Sequence, residues 1–178
     1  MRRNFEVEIQ WKAFPLHPET PIEGLTLEEL FAGRNIDIPQ AMARLKKAAR
    51  DLGLPLGERK KTYNSRLAQE LGKWAESKGR GDEFHDAVFR AYFVDGRNIA
   101  KSDILVTLAG VAGLPEKDAR EILQRRAFRE AVDSDWALCE RLGISAVPTF
   151  LLDHQSLVGA QPYEALEQLL LVNGVKRK

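Results

Sequence analysis

The chain of 178 residues carries one cysteine, Cys139, so it has no intramolecular disulfide framework and no cysteine-cluster zinc site. Its histidines, His17, His85 and His154, stand far apart without H-x-x-x-H or H-E-x-x-H spacing, which argues against a first-row metal site. Charge of one sign is also missing: 27 Lys+Arg face 26 Asp+Glu, a net charge of +1. A duplex nucleic-acid binder needs a basic surplus on one face, so that class is set aside. The apolar-rich stretch Leu166 to Val172, itself broken by Glu167 and Gln168, falls far short of the roughly 20 residues of a membrane span. The opening Met-Arg-Arg-Asn-Phe-Glu has charge but no apolar stretch behind it, so no signal peptide is expected and the cytoplasm is the expected compartment. What is present is ordinary for a globular domain: 44% apolar and 30% charged residues, with 13 Gly and 8 Pro.

Phe5, Val7, Ile9 and Trp11 alternate with Glu6, Glu8, Gln10 and Lys12, and this period of two predicts a half-polar strand. Pro15, Pro18 and Pro21 then impose an extended loop. From Thr26 to about Leu142 the pattern predicts helices. Thr26 is placed to cap the first, and Asp37 the second, with Met42, Leu45, Ala49 and Leu52 inward. Asn64 or Ser65 starts a third with Leu67, Leu71 and Trp74 inward. Asp82 and Ser102 are placed as further caps, and Pro115 opens another helix. A last helix of this run carries Trp136 and Cys139. Val147 to Leu152 and Leu157 to Ala160 predict two short strands around a turn at Asp153 to Ser156. Pro162 opens the final helix.

This order of elements, with Gly143-Ile-Ser-Ala-Val-Pro-Thr-Phe150 ahead of a hairpin, resembles the second half of a thioredoxin fold. Trp11 to Pro18, Tyr63-Asn64-Ser65, Phe89 to Phe93 and Gly159-Ala160-Gln161 occur in the order of the DsbA-like thioredoxin family. The nearest likeness is its FrnE-like branch, whose relatives include 2-hydroxychromene-2-carboxylate isomerases and kappa-class glutathione transferases. The resemblance implies an α/β fold with a small sheet and a large all-helical insertion. Residues 1–25 and 143–178 would form a partial thioredoxin-like domain, and residues 26–142 the insertion. The family's first strand and the helix bearing its Cys-x-x-Cys have no counterpart here, and no C-x-x-C occurs anywhere in the chain.

The same resemblance makes Pro148 a cis-proline and offers the Val147 backbone to an extended polypeptide or a small thiol substrate. It places Asn64 beside the same groove, although as a helix-opening residue Asn64 needs no ligand. Cys139, near Asp135 and Glu140, reads as a small apolar filler with a raised pKa. His17 reads as a surface histidine and Glu58-Arg59-Lys60-Lys61 as a solvated loop. Trp11, Trp74 and Trp136 fall on apolar stripes and read as core or interface.

The resemblance implies a thiol–disulfide oxidoreductase that lacks its dithiol in this chain, either as an N-terminally shortened product or as a non-redox peptide- or partner-binding descendant. A glutathione-dependent isomerase is the third reading; it alone asks for a cofactor, glutathione. No metal catalytic site, nucleic-acid partner or membrane partner is expected. The absent strand predicts either that Val7–Phe14 pairs with Thr149–Leu152 or that a second copy supplies a strand in a homodimer.

Overall fold

The computed structural model describes residues 1–178, with eight α-helices and four short β-strands. They group into two compact units: residues 17–132, continuous in sequence, and residues 1–16 joined by 133–178. The architecture is thus helix-rich α/β, with a continuous helical unit inserted within the other and two separate two-stranded sheets.

In the continuous unit, β1 (Leu25–Thr26) pairs antiparallel with β2 (Lys61–Thr62), with Leu25 opposite Thr62. Thr26 ends β1 and caps α1 (Leu27–Leu30). Its hydroxyl accepts from the Glu29 amide at 3.1 Å, while the Glu29 carboxylate accepts from the Thr26 amide at 2.7 Å, a reciprocal capping box. Asp37 caps α2 (Ile38–Asp51) by accepting from the Gln40 amide at 2.8 Å. The stripe placed inward from the sequence is largely open, however. No residue of α2 is buried, and Leu45 and Leu52 are 44% and 73% exposed. Periodicity sets an apolar face but does not supply a surface to cover it.

The core of this unit lies among α3 (Arg66–Ser77), α4 (Gly81–Phe93), α5 (Ser102–Val111) and α6 (Glu116–Arg125). Leu71, Trp74 and Ala75 of α3 meet Phe84, Val88 and Ala91 of α4 in one buried cluster. Leu105, Leu108 and Ala109 of α5 and Ala119 and Leu123 of α6 complete it. Burial of side chains this size contributes about 1.5–3 kcal/mol each for the larger ones. Asp82 and Ser102 lie inside their helices rather than at the cap, where Arg80 and Lys101 stand without side-chain capping bonds. Asp82 still sits in the first turn, where the helix dipole favours a carboxylate.

Glu70 is the exception to an apolar core: it is 1% exposed. Arg66 donates to it at 2.6 Å, and Arg126, at the C-cap of α6, donates at 2.7 and 2.6 Å. Burial opposes its ionisation, but the bonds from Arg126 and Arg66 outweigh that and hold its carboxyl below the usual glutamate range.

Helix α7 (Arg129–Arg141) passes into the second unit, where it is joined by a hairpin and α8 (Tyr163–Val172). β3 (Thr149–Leu152) pairs with β4 (Gln155–Val158) in register Thr149 to Val158. The turn is the two residues Asp153-His154, with Asp153 at φ 51°, so Gln155 and Ser156 belong to the strand and not to the turn. The predicted strand over Phe5–Lys12 is not formed, and Val7–Phe14 does not pair with Thr149–Leu152: β3 pairs with β4 alone. Only Phe5 is tied into a bridge, to Arg177, with the Glu6 amide donating to the Lys176 carbonyl at 2.9 Å. Alternation marks two faces, but a strand needs an open ladder beside it, and this segment finds only the C-terminal tail.

Candidate functional site

Gly143, at φ 64°, ends α7, and the Ile144 amide turns back to donate to the Cys139 carbonyl at 2.9 Å. The chain then runs to Ala146, whose carbonyl accepts from the Thr149 hydroxyl at 2.6 Å. The Val147–Pro148 peptide bond is cis. Pro148 offers its carbonyl to the Gly159 amide at 2.7 Å, which extends the hairpin ladder by one step. Backbone groups alternate in direction along a strand, so Phe150 and Leu152 face β4 while Thr149 and Leu151 point their N–H and C=O groups to the other edge. No strand lies against that edge within the fold. Val147 continues it: its backbone makes no hydrogen bond, and the residue is 43% exposed.

The site therefore presents main-chain donors and acceptors beside exposed Phe150, Leu151 and Val158. Such an edge takes an extended chain through backbone pairing, with alternate side chains read by the adjoining apolar surface.

Asn64 lies in the other unit. It is occupied: its amide donates to the carbonyls of Pro18 at 2.9 Å and Thr20 at 2.8 Å, and its oxygen accepts from the Arg66 amide at 2.9 Å. Ser65 is the N-cap of α3; its hydroxyl caps no backbone amide and accepts instead from the Gln69 side-chain amide at 3.1 Å. Asn64 thus fastens the Pro18–Thr20 loop to the start of α3.

Cys139 is 5% exposed, with its sulfur 3.6 Å from the Ala13 carbonyl. Burial, and then the Asp135 carboxylate, push its thiol pKa up, so it stays protonated and is a poor nucleophile. Asp135 accepts from the Ala13 amide at 2.9 Å and pairs with Lys12 at 3.7 Å. Beside Cys139, a cleft of about 480 Å³ is lined by Phe14, Pro15, Trp136 and Ile144. No group of three or more His, Cys, Asp or Glu is placed to hold a metal ion. No helix is long and apolar enough to cross a membrane.

Two features escaped the sequence reading. Glu70 has its second partner, Arg126, 56 residues away, and only the Arg66–Glu70 spacing of four hints at it. Arg59 is not part of a wholly solvated loop: it is half-buried, with its guanidinium over the Tyr92 and Phe93 rings at 5.7 and 6.0 Å. Of the tryptophans, Trp74 is in the core and Trp11 is exposed.

The chain is 31% identical over 108 residues to the protein YwbO of Bacillus subtilis, and it spans about half the length of that curated relative (58% of this chain, 52% of YwbO). Among solved structures it is similar to a probable DsbA oxidoreductase from Streptomyces coelicolor, at 30% identity and a TM-score of 0.85. That match covers 94% of this chain and 75% of the other. A putative protein disulfide isomerase from Nitrosomonas europaea shares the fold at 20% identity and a TM-score of 0.64, covering 84% of this chain and 75% of the other. The cytosolic disulfide reductase DsbM of Pseudomonas aeruginosa, solved with GSH, shares it at 23% identity and a TM-score of 0.56, covering 75% and 76%. The model of the DSBA-like thioredoxin domain matches residues 1–171, and the chain belongs to that family.

Proposed function

We propose that this chain holds an extended polypeptide substrate for thiol–disulfide chemistry of the DsbA type, with the Val147 main chain as its docking point and cis-Pro148, whose carbonyl is held by Gly159, setting the direction of that edge. The supporting observation is the outer edge of β3, whose Thr149 and Leu151 groups are continued by an unbonded Val147. Disulfide exchange needs an accessible thiolate and a second thiol to resolve the mixed disulfide. The 178 residues carry only the buried Cys139, so on this reading the chain binds substrate without turning it over by itself. The substrate-holding domain is assigned to residues 1–16 with 133–178 and the inserted helical one to 17–132, the bounds of the two compact units, in place of the 1–25, 143–178 and 26–142 that the resemblance implies. The cytoplasm is the compartment assigned, in keeping with a chain so poor in cysteine.

The test uses an extended peptide with serine in place of cysteine, and an analogue N-methylated at alternate positions. The first shifts the amide signals of Val147, Thr149 and Leu151 in NMR spectra, and the second does not. Unmoved signals with both peptides sink the reading. Insulin reduction by the wild type and by Cys139→Ala stays at background, and clear turnover by either overturns the non-catalytic part. FrnE-like branch membership and a glutathione-dependent isomerase activity are finer assignments; saturable calorimetric binding of glutathione would favour the latter. The same edge of β3 also suits a strand from a second copy, which size-exclusion chromatography with light scattering resolves.

A further inference from the structure

Ala13 is fastened to α7 at both of its main-chain groups. Its amide donates to the Asp135 carboxylate at 2.9 Å, and its carbonyl accepts from the Cys139 thiol at 3.6 Å. Asp135 and Cys139 stand four residues apart, neighbours on one side of the helix. With Ala13 fixed, the chain delivers Phe14 and Pro15 alongside the adjoining face of α7. That face carries Asp133, Trp136, Ala137 and Glu140, at the i, i+3, i+4, i+7 spacing of one helical side. Between it and Phe14, Pro15 and Ile144 lies the cleft of about 480 Å³, a volume in the range of small-molecule sites. Its charge is of one sign. Asp133 and Glu140 line it with Trp136 between them along the helix, and no Lys, Arg or His does. Lys12 pairs with Asp135 at 3.7 Å, and the basic ends of α7, Arg129 and Arg141, are not part of the cleft wall. The Glu140 side chain is exposed and enters no ion pair. The Cys139 thiol, the other polar group in the wall, is engaged with Ala13. An aromatic face attracts a cation through its quadrupole, Trp most strongly, and a carboxylate beside it adds to that attraction.

We propose that this cleft binds a small organic cation, an ammonium or amidinium group carried on an apolar ring. The charge sits beside Trp136 and Glu140, and the ring lies against Phe14, Pro15 and Ile144. The full chain is titrated with benzamidine, with its neutral counterpart benzamide and with benzoate, at constant ionic strength. The indole N–H signal of Trp136 is followed by NMR. Benzamidine moves it saturably, benzamide binds at least about threefold more weakly, and benzoate does not bind. Glu140→Gln weakens benzamidine about threefold, the scale of one exposed ion pair, and leaves benzamide unchanged. Glu140→Lys weakens benzamidine about tenfold. A lysine in the last turn suits the helix dipole, so this variant keeps its fold, as circular dichroism checks. The proposal falls if none of the three compounds moves Trp136, or if benzamide or benzoate binds as tightly as benzamidine. It falls equally if Glu140→Lys binds benzamidine as the wild type does.

Discussion

A glutamate enclosed by two arginines is the single-residue arrangement with the largest consequence for stability. Glu70→Gln removes the charge that Arg66 and Arg126 share and should cost about 3 kcal/mol, the scale for breaking a buried ion pair. Urea unfolding at neutral pH measures it. The pH dependence has a definite sign. The folded-state pKa of Glu70 is lowered, so its contribution is complete above the unfolded value and fades as pH falls through the lowered folded value. The urea midpoint of the wild type should therefore drop more steeply on acidification than that of Glu70→Gln. At Gly57 the constraint is steric: an added Cβ would lie 1.9 Å from the Val94 carbonyl oxygen. Gly57→Ala should destabilise by about 2 kcal/mol, as overpacking does, and shift the melting temperature down.

At the scale of the element, Asp37 tests how α2 is held. Asp37→Ala removes a side-chain cap whose loss costs about 1 kcal/mol of helix stability. Because α2 buries no residue, the loss should appear as faster amide exchange within Ile38–Asp51 and leave the global melting temperature almost unmoved. Helices were legible because their signals are local: Thr26 and Asp37 as caps, Pro115 and Pro162 at entries, and apolar spacing that brought Leu71, Trp74, Phe84 and Leu105 to the core. Of the strands only the C-terminal hairpin was legible, with Thr149–Leu152 in its first strand and Leu157 and Val158 in its second. β1 and β2 have two residues each, too few to show a period. The alternation over Phe5–Lys12 misled because pairing depends on a neighbour that no local pattern encodes. Gln155 and Ser156 looked like turn residues by composition, yet the left-handed Asp153 turns the chain early enough for them to pair. Val147 and Pro148 stood out only through family resemblance, since nothing in their own spacing marks a binding edge.

For the whole molecule, the family is established and the way it is used is open to experiment. The chain belongs to the DsbA-like thioredoxin family, yet its one thiol is enclosed. The outer edge of β3, bordered by exposed apolar side chains, gives concentration-dependent self-association as the expected behaviour if a second copy adds its strand. Light scattering over a dilution series reads this directly, and a constant monomer mass speaks against it.

Helix α2 has one more consequence. It carries Arg44, Lys46, Lys47 and Arg50 on a segment that buries nothing, and it lies in sequence between β1 and β2. Trypsin should cut there first. The nicked polypeptide would then stay together as two fragments, because the β1–β2 pairing and the grip of Asn64 on Pro18 and Thr20 bridge the break.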